Sequence, residues 1–155
     1  MQSGSAEPWW LLCRVRARLC ALPLEHVAET MRPLPIESLA GGPGFVSGLS
    51  VIRGLPIPVV DAGAVLGMRE PARPTRFVTL KAGGKPVAVA VEEVLGIREL
   101  ASASLRELPP LLREAGSEVV SAVGTLDAEL LMVLQTARLV PESVWQALEA
   151  LTASP

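Results

Sequence analysis

The run from Gly48 to Asp61 constrains this chain more than any other segment. Two short apolar stretches, residues 49–52 and 55–60, flank Arg53-Gly54. Glycine reaches positive φ without a Cβ clash, so a charged residue followed by Gly between apolar runs predicts a tight β-hairpin. Pro56 and Pro58 have no N–H to give to a ladder. The second strand is therefore expected at a sheet edge, or beginning beside one. An edge strand next to a single presented arginine is a docking surface for another protein.

The rest of the chain reads as further short strands. Residues 11–22 alternate, with Leu11, Cys13, Val15, Ala17 and Leu19 set against Arg14, Arg16 and Arg18, as in a half-buried strand pair. A helical turn at residues 24–27 precedes a strand over 28–31, and the glycine-rich stretch 40–44 reads as a mobile loop. After the hairpin, a turn of helix at 62–66 ends at Gly67, and residues 68–75 form a surface linker. Strands over 76–81 and 87–91 enclose the turn Gly83-Gly84, and another strand covers 94–100. Residues 104–116 are expected to be a long crossing loop. Strands over 119–126 and 129–134 flank Asp127-Ala128, a weaker turn pair than Asp-Gly. Beyond Pro141, residues Val144, Leu148 and Leu151 recur at helical spacing, which predicts a terminal amphipathic helix over 141–152. Many short strands between turn signals define an all-β barrel or sandwich. The comparable glycine turns on either side of 68–75 point to two similar small barrels, without a strong repeat at residue level.

Composition excludes several classes. Fourteen basic and sixteen acidic residues leave a net charge of −2, with no basic stripe and only 3% aromatics, so phosphate-neutralising nucleic-acid binding is disfavoured. Mean hydropathy is +0.41 while charged residues are scarce, which leaves apolar surface for a protein partner. No apolar run approaches the length of a membrane span and residues 1–8 lack signal-peptide character, so a cytoplasmic protein without membrane insertion is expected. Cys13 and Cys20 do not have metal-site spacing and read as buried thiols. No cofactor is implied.

The candidates for catalysis are poor. His26 is the only histidine, and no Gly-x-Ser-x-Gly elbow accompanies it. Glu92 and Glu93 are neighbours on a strand and point to opposite faces, so they do not converge on one substrate. Glu29 and Arg53 differ in kind, being charges embedded in apolar sequence. They read either as solvated strand-end charges or as an ion pair shielded beside an interface.

The ordered set Phe45-Val46-Ser47-Gly48, Arg53-Gly54, Pro58-Val59-Val60-Asp61, Leu66-Gly67, Val91-Glu92-Glu93-Val94 and Gly124-Thr125-Leu126 resembles the CheW-type coupling proteins of bacterial chemotaxis. The resemblance runs from about Leu11 to Val140. It implies two SH3-like five-stranded barrels sharing an apolar core, with short helices and a C-terminal amphipathic helix. The domain would span 8–155, with intertwined subdomains 11–67 and 76–135 and a disordered stretch 1–7. It implies no catalysis, and binding to the regulatory domain of a CheA-type histidine kinase and to the cytoplasmic tip of chemoreceptors. Receptor helices would lie between the barrels and the kinase domain would dock end-on. The positions matching Glu29 and Arg53 are linked with an ion pair and partner coupling, and Gly48 lies near the contacts. Apolar strand edges at Val46, Ile52, Leu55 and Ile57, with the Gly54 turn, complete the expected partner surface.

The chain also departs from the family pattern. Ala62-Gly63 stand where long side chains are usual, Ala88 and Ala122 where many members place Gly, and Gln135 makes a mild change. These departures motivate a second reading, a CheW-like regulator that binds one partner only. A third, a ligand-binding or hydrolytic barrel, requires His26 and Asp61 within hydrogen-bond reach of each other.

Overall fold

A computed structural model describes residues 9–39, 45–68, 73–100, 105–107 and 119–153. The expectations for 1–7 and 40–44, and most of that for 104–116, lie outside the described residues. Eleven strands form two sheets. The first has the order β8-β1-β2-β11-β10-β9, from β1 (Trp9–Val15), β2 (Arg18–Pro23), β8 (Glu93–Glu99), β9 (Leu105–Glu107), β10 (Val120–Leu126) and β11 (Glu129–Leu134). The second has the order β3-β6-β7-β5-β4, from β3 (Val27–Met31), β4 (Val46–Ile52), β5 (Leu55–Asp61), β6 (Arg76–Ala82) and β7 (Lys85–Val91). Neither sheet is a contiguous half of the chain. The fold is two β subdomains, with six strands in one where five were expected. The sixth is β9, which occupies part of the expected crossing loop and pairs with β10.

Three apolar clusters explain why the central strands are so hydrophobic. One fills the first subdomain with Leu12, Leu19, Ala21, Leu131 and Val133. Another fills the second with Ile52, Ile57, Val59, Phe77, Ala88 and Ala90. The largest lies between the sheets and takes the alternate residues of the same strands, such as Leu11, Cys13, Cys20 and Leu22 facing Val78, Leu80, Val87 and Val89. Successive side chains on a strand point to opposite faces, so β1, β2, β6 and β7 are buried on both. This corrects the half-buried reading of residues 11–22, where Leu12 is as buried as its neighbours and Arg16-Ala17 form the turn. Cys13 and Cys20 are direct register partners, fully buried and free. The hydrogen bond from Cys13, then burial, pushes the Cys20 thiol well above its ordinary value.

The two sheets repeat one another in register. Each joins a three-stranded antiparallel unit, a hairpin flanked by a strand from elsewhere in the chain, to a second hairpin through a parallel pair, β2 with β11 and β7 with β5. In the hairpins, Ile52↔Leu55 corresponds to Leu126↔Glu129, and both ladders shift register at the same depth, between Val46 and Gly48 and between Val120 and Ala122. The Glu37↔Leu49 bridge beside β4 stands where β9 stands beside β10. The three-stranded units match as well: β3 shifts between Val27 and Glu29 opposite Leu80 and Thr79, and β8 between Val94 and Gly96 opposite Cys13 and Leu12.

Short helix α1 (Ala62–Val65) is capped by Asp61, whose Oδ1 accepts from the Gly63 N–H at 2.9 Å. Helix α2 (Glu142–Ala153) buries Val144 and Trp145 in the shared core, and Lys85 Nζ lies 5.1 Å from the Trp145 ring centroid. Leu151, expected on the apolar face, is exposed. Among the described residues no helix is long and apolar enough to cross a membrane.

The β10–β11 turn holds both residues at positive φ, 49° at Asp127 and 68° at Ala128. A Cβ is unfavourable there, so Ala128→Gly relieves the left-handed strain. The expected gain is about 0.5–1 kcal/mol, read as a higher urea midpoint at unchanged slope.

Candidate functional site

Strands β3 and β4 are the two outermost strands of the second sheet. Glu29 projects from β3 beside its register shift. Arg53 and Gly54 form the two-residue turn between β4 and β5, with φ of 53° and 80°, the both-positive conformation that matches the twist of a hairpin. The structure brings these two side chains together. Arg53 Nε donates to Glu29 Oε1 at 3.1 Å and its terminal nitrogen to Oε2 at 2.7 Å, a bidentate fork. The pair therefore links the two edges of the sheet across the seam that closes the barrel. Arg53 is largely exposed and Glu29 about a third exposed, at 76% and 35% of their side chains. The pair sits at the surface, as a clasp with free donor valence.

Apolar exposure at this tip differs from expectation. Val46, Ile52 and Ile57 are buried, at 7%, 3% and 5% exposure, and belong to cores. Of the four expected apolar contacts only Leu55 is exposed, and Val51, which periodicity did not single out, joins it. On β4 burial alternates, with Gly48, Ser50 and Ile52 inside and Val51 outside, whereas β5 is covered on both faces from Ile57 onward and only its tip residue Leu55 faces water. The prolines are also placed differently. Strand β5 is interior and β4 is the edge. Pro56 and Pro58 oppose Val51 and Leu49 at positions that turn their nitrogens away from β4, and β7 joins β5 only from Val59 onward.

Gly48 is buried against backbone. A Cβ built there meets the Glu37 carbonyl oxygen at 2.0 Å, at a φ of +149°. That approach lets Glu37 and Leu49 exchange two 2.8 Å hydrogen bonds and cover the β4 edge.

Two features were not foreseen. Arg14 on β1 makes a second bidentate pair with Glu129 on β11, at 3.2 and 3.0 Å, spanning the intervening β2. Its partners lie far apart in sequence, and no local pattern marks them. Trp9 and Ile97 are exposed although they share the face of Leu11, which is in the inter-sheet core. They form an apolar ledge where the first sheet extends past the second. His26 Nδ1 lies 2.9 Å from Thr136 Oγ1, while the Asp61 carboxylate caps α1, so the two groups of the hydrolytic reading are engaged separately. Glu92 accepts from the Arg16 backbone N–H and braces the β1–β2 turn.

A protein-family model for the CheW-like domain matches residues 10–144. The chain belongs to the CheW-like domain family. It is 34% identical over 128 residues to Protein FrzA of Myxococcus xanthus, covering 76% of this chain and 79% of that protein. Its fold matches the crystal structure of scaffolding protein TtCheW from Thermoanaerobacter tengcongensis with a TM-score of 0.70 at 18% identity, over 83% of this chain and 89% of that one. This CheW-like chain is thus a scaffold of the chemotaxis signalling type. Apart from the exposed Gln135, its departures from the family pattern lie inside. Ala62 and Ala88 are fully buried, Ala122 packs against the first core, and a Cβ on Gly63 would press on Asp61 and Val15. They adjust cores and leave the tip untouched.

The CheW-like tip has a titration signature. The Arg53 hydrogen bond is the main cause holding the Glu29 carboxyl below its ordinary value, and the same bond raises Arg53. The pair's contribution is complete above the ordinary carboxylate pKa and is lost as pH falls through the depressed one. Side-chain carbon NMR should therefore show Glu29 titrating below free glutamate, and Arg53→Gln should return it upward. Gly48→Ala should cost about 2–4 kcal/mol in urea unfolding, because the clash is with backbone and the φ is strained.

Proposed function

We infer that this CheW-like chain is a non-enzymatic adaptor that couples chemoreceptors to a CheA-type histidine kinase in the cytoplasm. The observation that carries the reading is the β4–β5 tip. Val51 and Leu55 stand 68% and 57% exposed there, on either side of an arginine clasped to Glu29. Exposed apolar side chains on a rigid turn make a low-entropy contact for a folded partner, because little freedom remains to be lost on binding. In this reading Val51 and Leu55 dock end-on against the barrel-like regulatory domain of the kinase. Arg53 and Glu29 set register and specificity, while the apolar pair carries most of the affinity. The Trp9–Ile97 ledge takes the second partner, a receptor helix laying an apolar stripe between the sheets.

Calorimetric titration with the regulatory domain of the histidine kinase from the same organism tests this. Saturable binding is expected. Leu55→Asp should weaken it about tenfold or more, the loss typical of a central apolar anchor. Arg53→Glu should also weaken binding while the cooperative unfolding transition is retained. Unchanged affinity in both variants, or unfolding with no separable binding defect, would remove the tip from the docking surface.

A further inference from the structure

The internal repeat exposes one position where the two subdomains differ. In the second sheet the residue just past the edge-strand register shift is Glu29, and it clasps Arg53 at the hairpin turn. In the first sheet the matching residue is Gly96, which has no side chain to offer, and the matching turn begins with Asp127. The seam is correspondingly open. A pocket of about 150 Å³ lies at this place, floored by Leu12 and Leu19 and flanked by Leu95 and Leu126. Arg98, two residues beyond Gly96 on the same face of β8, lines it together with Asp127 and with the Arg14–Glu129 pair, which joins β1 to β11 and leaves β8 unfastened. Among the described residues no ion pair engages Arg98 or Asp127. Leu95 is 42% exposed at the extra residue of the bulge, and a Cβ on Gly96, at φ +128°, would meet open space.

The geometry points to a movable clasp: β8 bends at the Leu95–Gly96 bulge so that Arg98 closes onto Asp127 across the pocket, fastening β8 to the hairpin turn as Glu29–Arg53 fastens β3 to its own. Each element has a physical role. The bulge weakens the β1–β8 ladder locally, and glycine supplies the hinge. The gain on closing is burial of Leu95 and Leu126 together with one ion pair. The cost is the distortion of an edge strand that is held on one side only. Opening and closing of such a strand belongs to the microsecond-to-millisecond range.

Methyl relaxation dispersion on the full chain tests the clasp. Leu95 and Leu126 methyls should show dispersion in the wild type, while the Ile52 and Ile57 methyls of the clasped subdomain stay flat. Arg98→Glu sets a new carboxylate against Asp127, beside a Glu129 already paired with Arg14, and should abolish the dispersion. The swap Arg98→Asp with Asp127→Arg should restore it. Flat profiles in the wild type, dispersion that survives Arg98→Glu, or a swap that fails to restore it would each overturn the clasp.

Discussion

The two-sided burial of the central strands is the constraint on which the rest depends. Strands β1, β2, β6 and β7 serve a subdomain core with one set of side chains and the shared core with the other. A strand used twice in this way leaves polar chemistry only its ends, as Arg14 beside the last residue of β1 shows. Charged groups are driven to turns, edges and seams, and it is there that Glu29, Arg53, Arg14 and Glu129 are found. The same constraint explains why buried hydroxyls are tied to backbone carbonyls, as Ser50 Oγ is to Pro35 at 2.8 Å and Thr79 Oγ1 to Glu29 at 3.3 Å. A chain built this way acts through its ends and edges.

The second subdomain shows how such an end is made rigid. Its outer strands do not complete a continuous ladder around the barrel. Strand β4 is covered by the Glu37 bridge, which needs the bare backbone of Gly48, and the tip is fastened to β3 by the Glu29–Arg53 fork. One exposed ion pair adds little to global stability when solvent screens it. Its effect is geometric, since it fixes the turn that carries Val51 and Leu55. A pair of this kind serves recognition better than folding, because the arginine keeps donors free while its position is set.

Much of this was legible in the residues. The hairpins around Arg53-Gly54 and Gly83-Gly84, the capped turn ending at Gly67 and the terminal helix all follow from turn chemistry and periodicity, which act over a few residues. Glu29 and Arg53 stood out because both charges interrupt apolar runs, while their pairing was favoured only by the family resemblance. What stayed hidden was set by long-range pairing. Residue parity could not place Ile57 inside, because both faces of β5 are covered, and on β4 it could not say which face of Val46 and Ile52 meets a core, because that depends on the sheet packed against it. The Arg14–Glu129 fork depends on β1 and β11 flanking β2, which no local window contains. Strand β9 is three residues long and owes its place to β10. The internal repeat is one of register, bulge and turn, with unlike residues at matched positions such as Glu29 and Gly96, so comparison of residues alone did not reveal it.

The central claim, that the β4–β5 tip is the kinase-facing surface, is tested most directly by titrating isotope-labelled protein with the regulatory domain of the histidine kinase and mapping backbone shift changes. The account predicts saturable changes centred on Val51, Arg53, Gly54 and Leu55 and extending to Glu29 across the seam. Changes centred on the Trp9–Ile97 ledge or on the β10–β11 turn, with the tip unmoved at saturation, would contradict it.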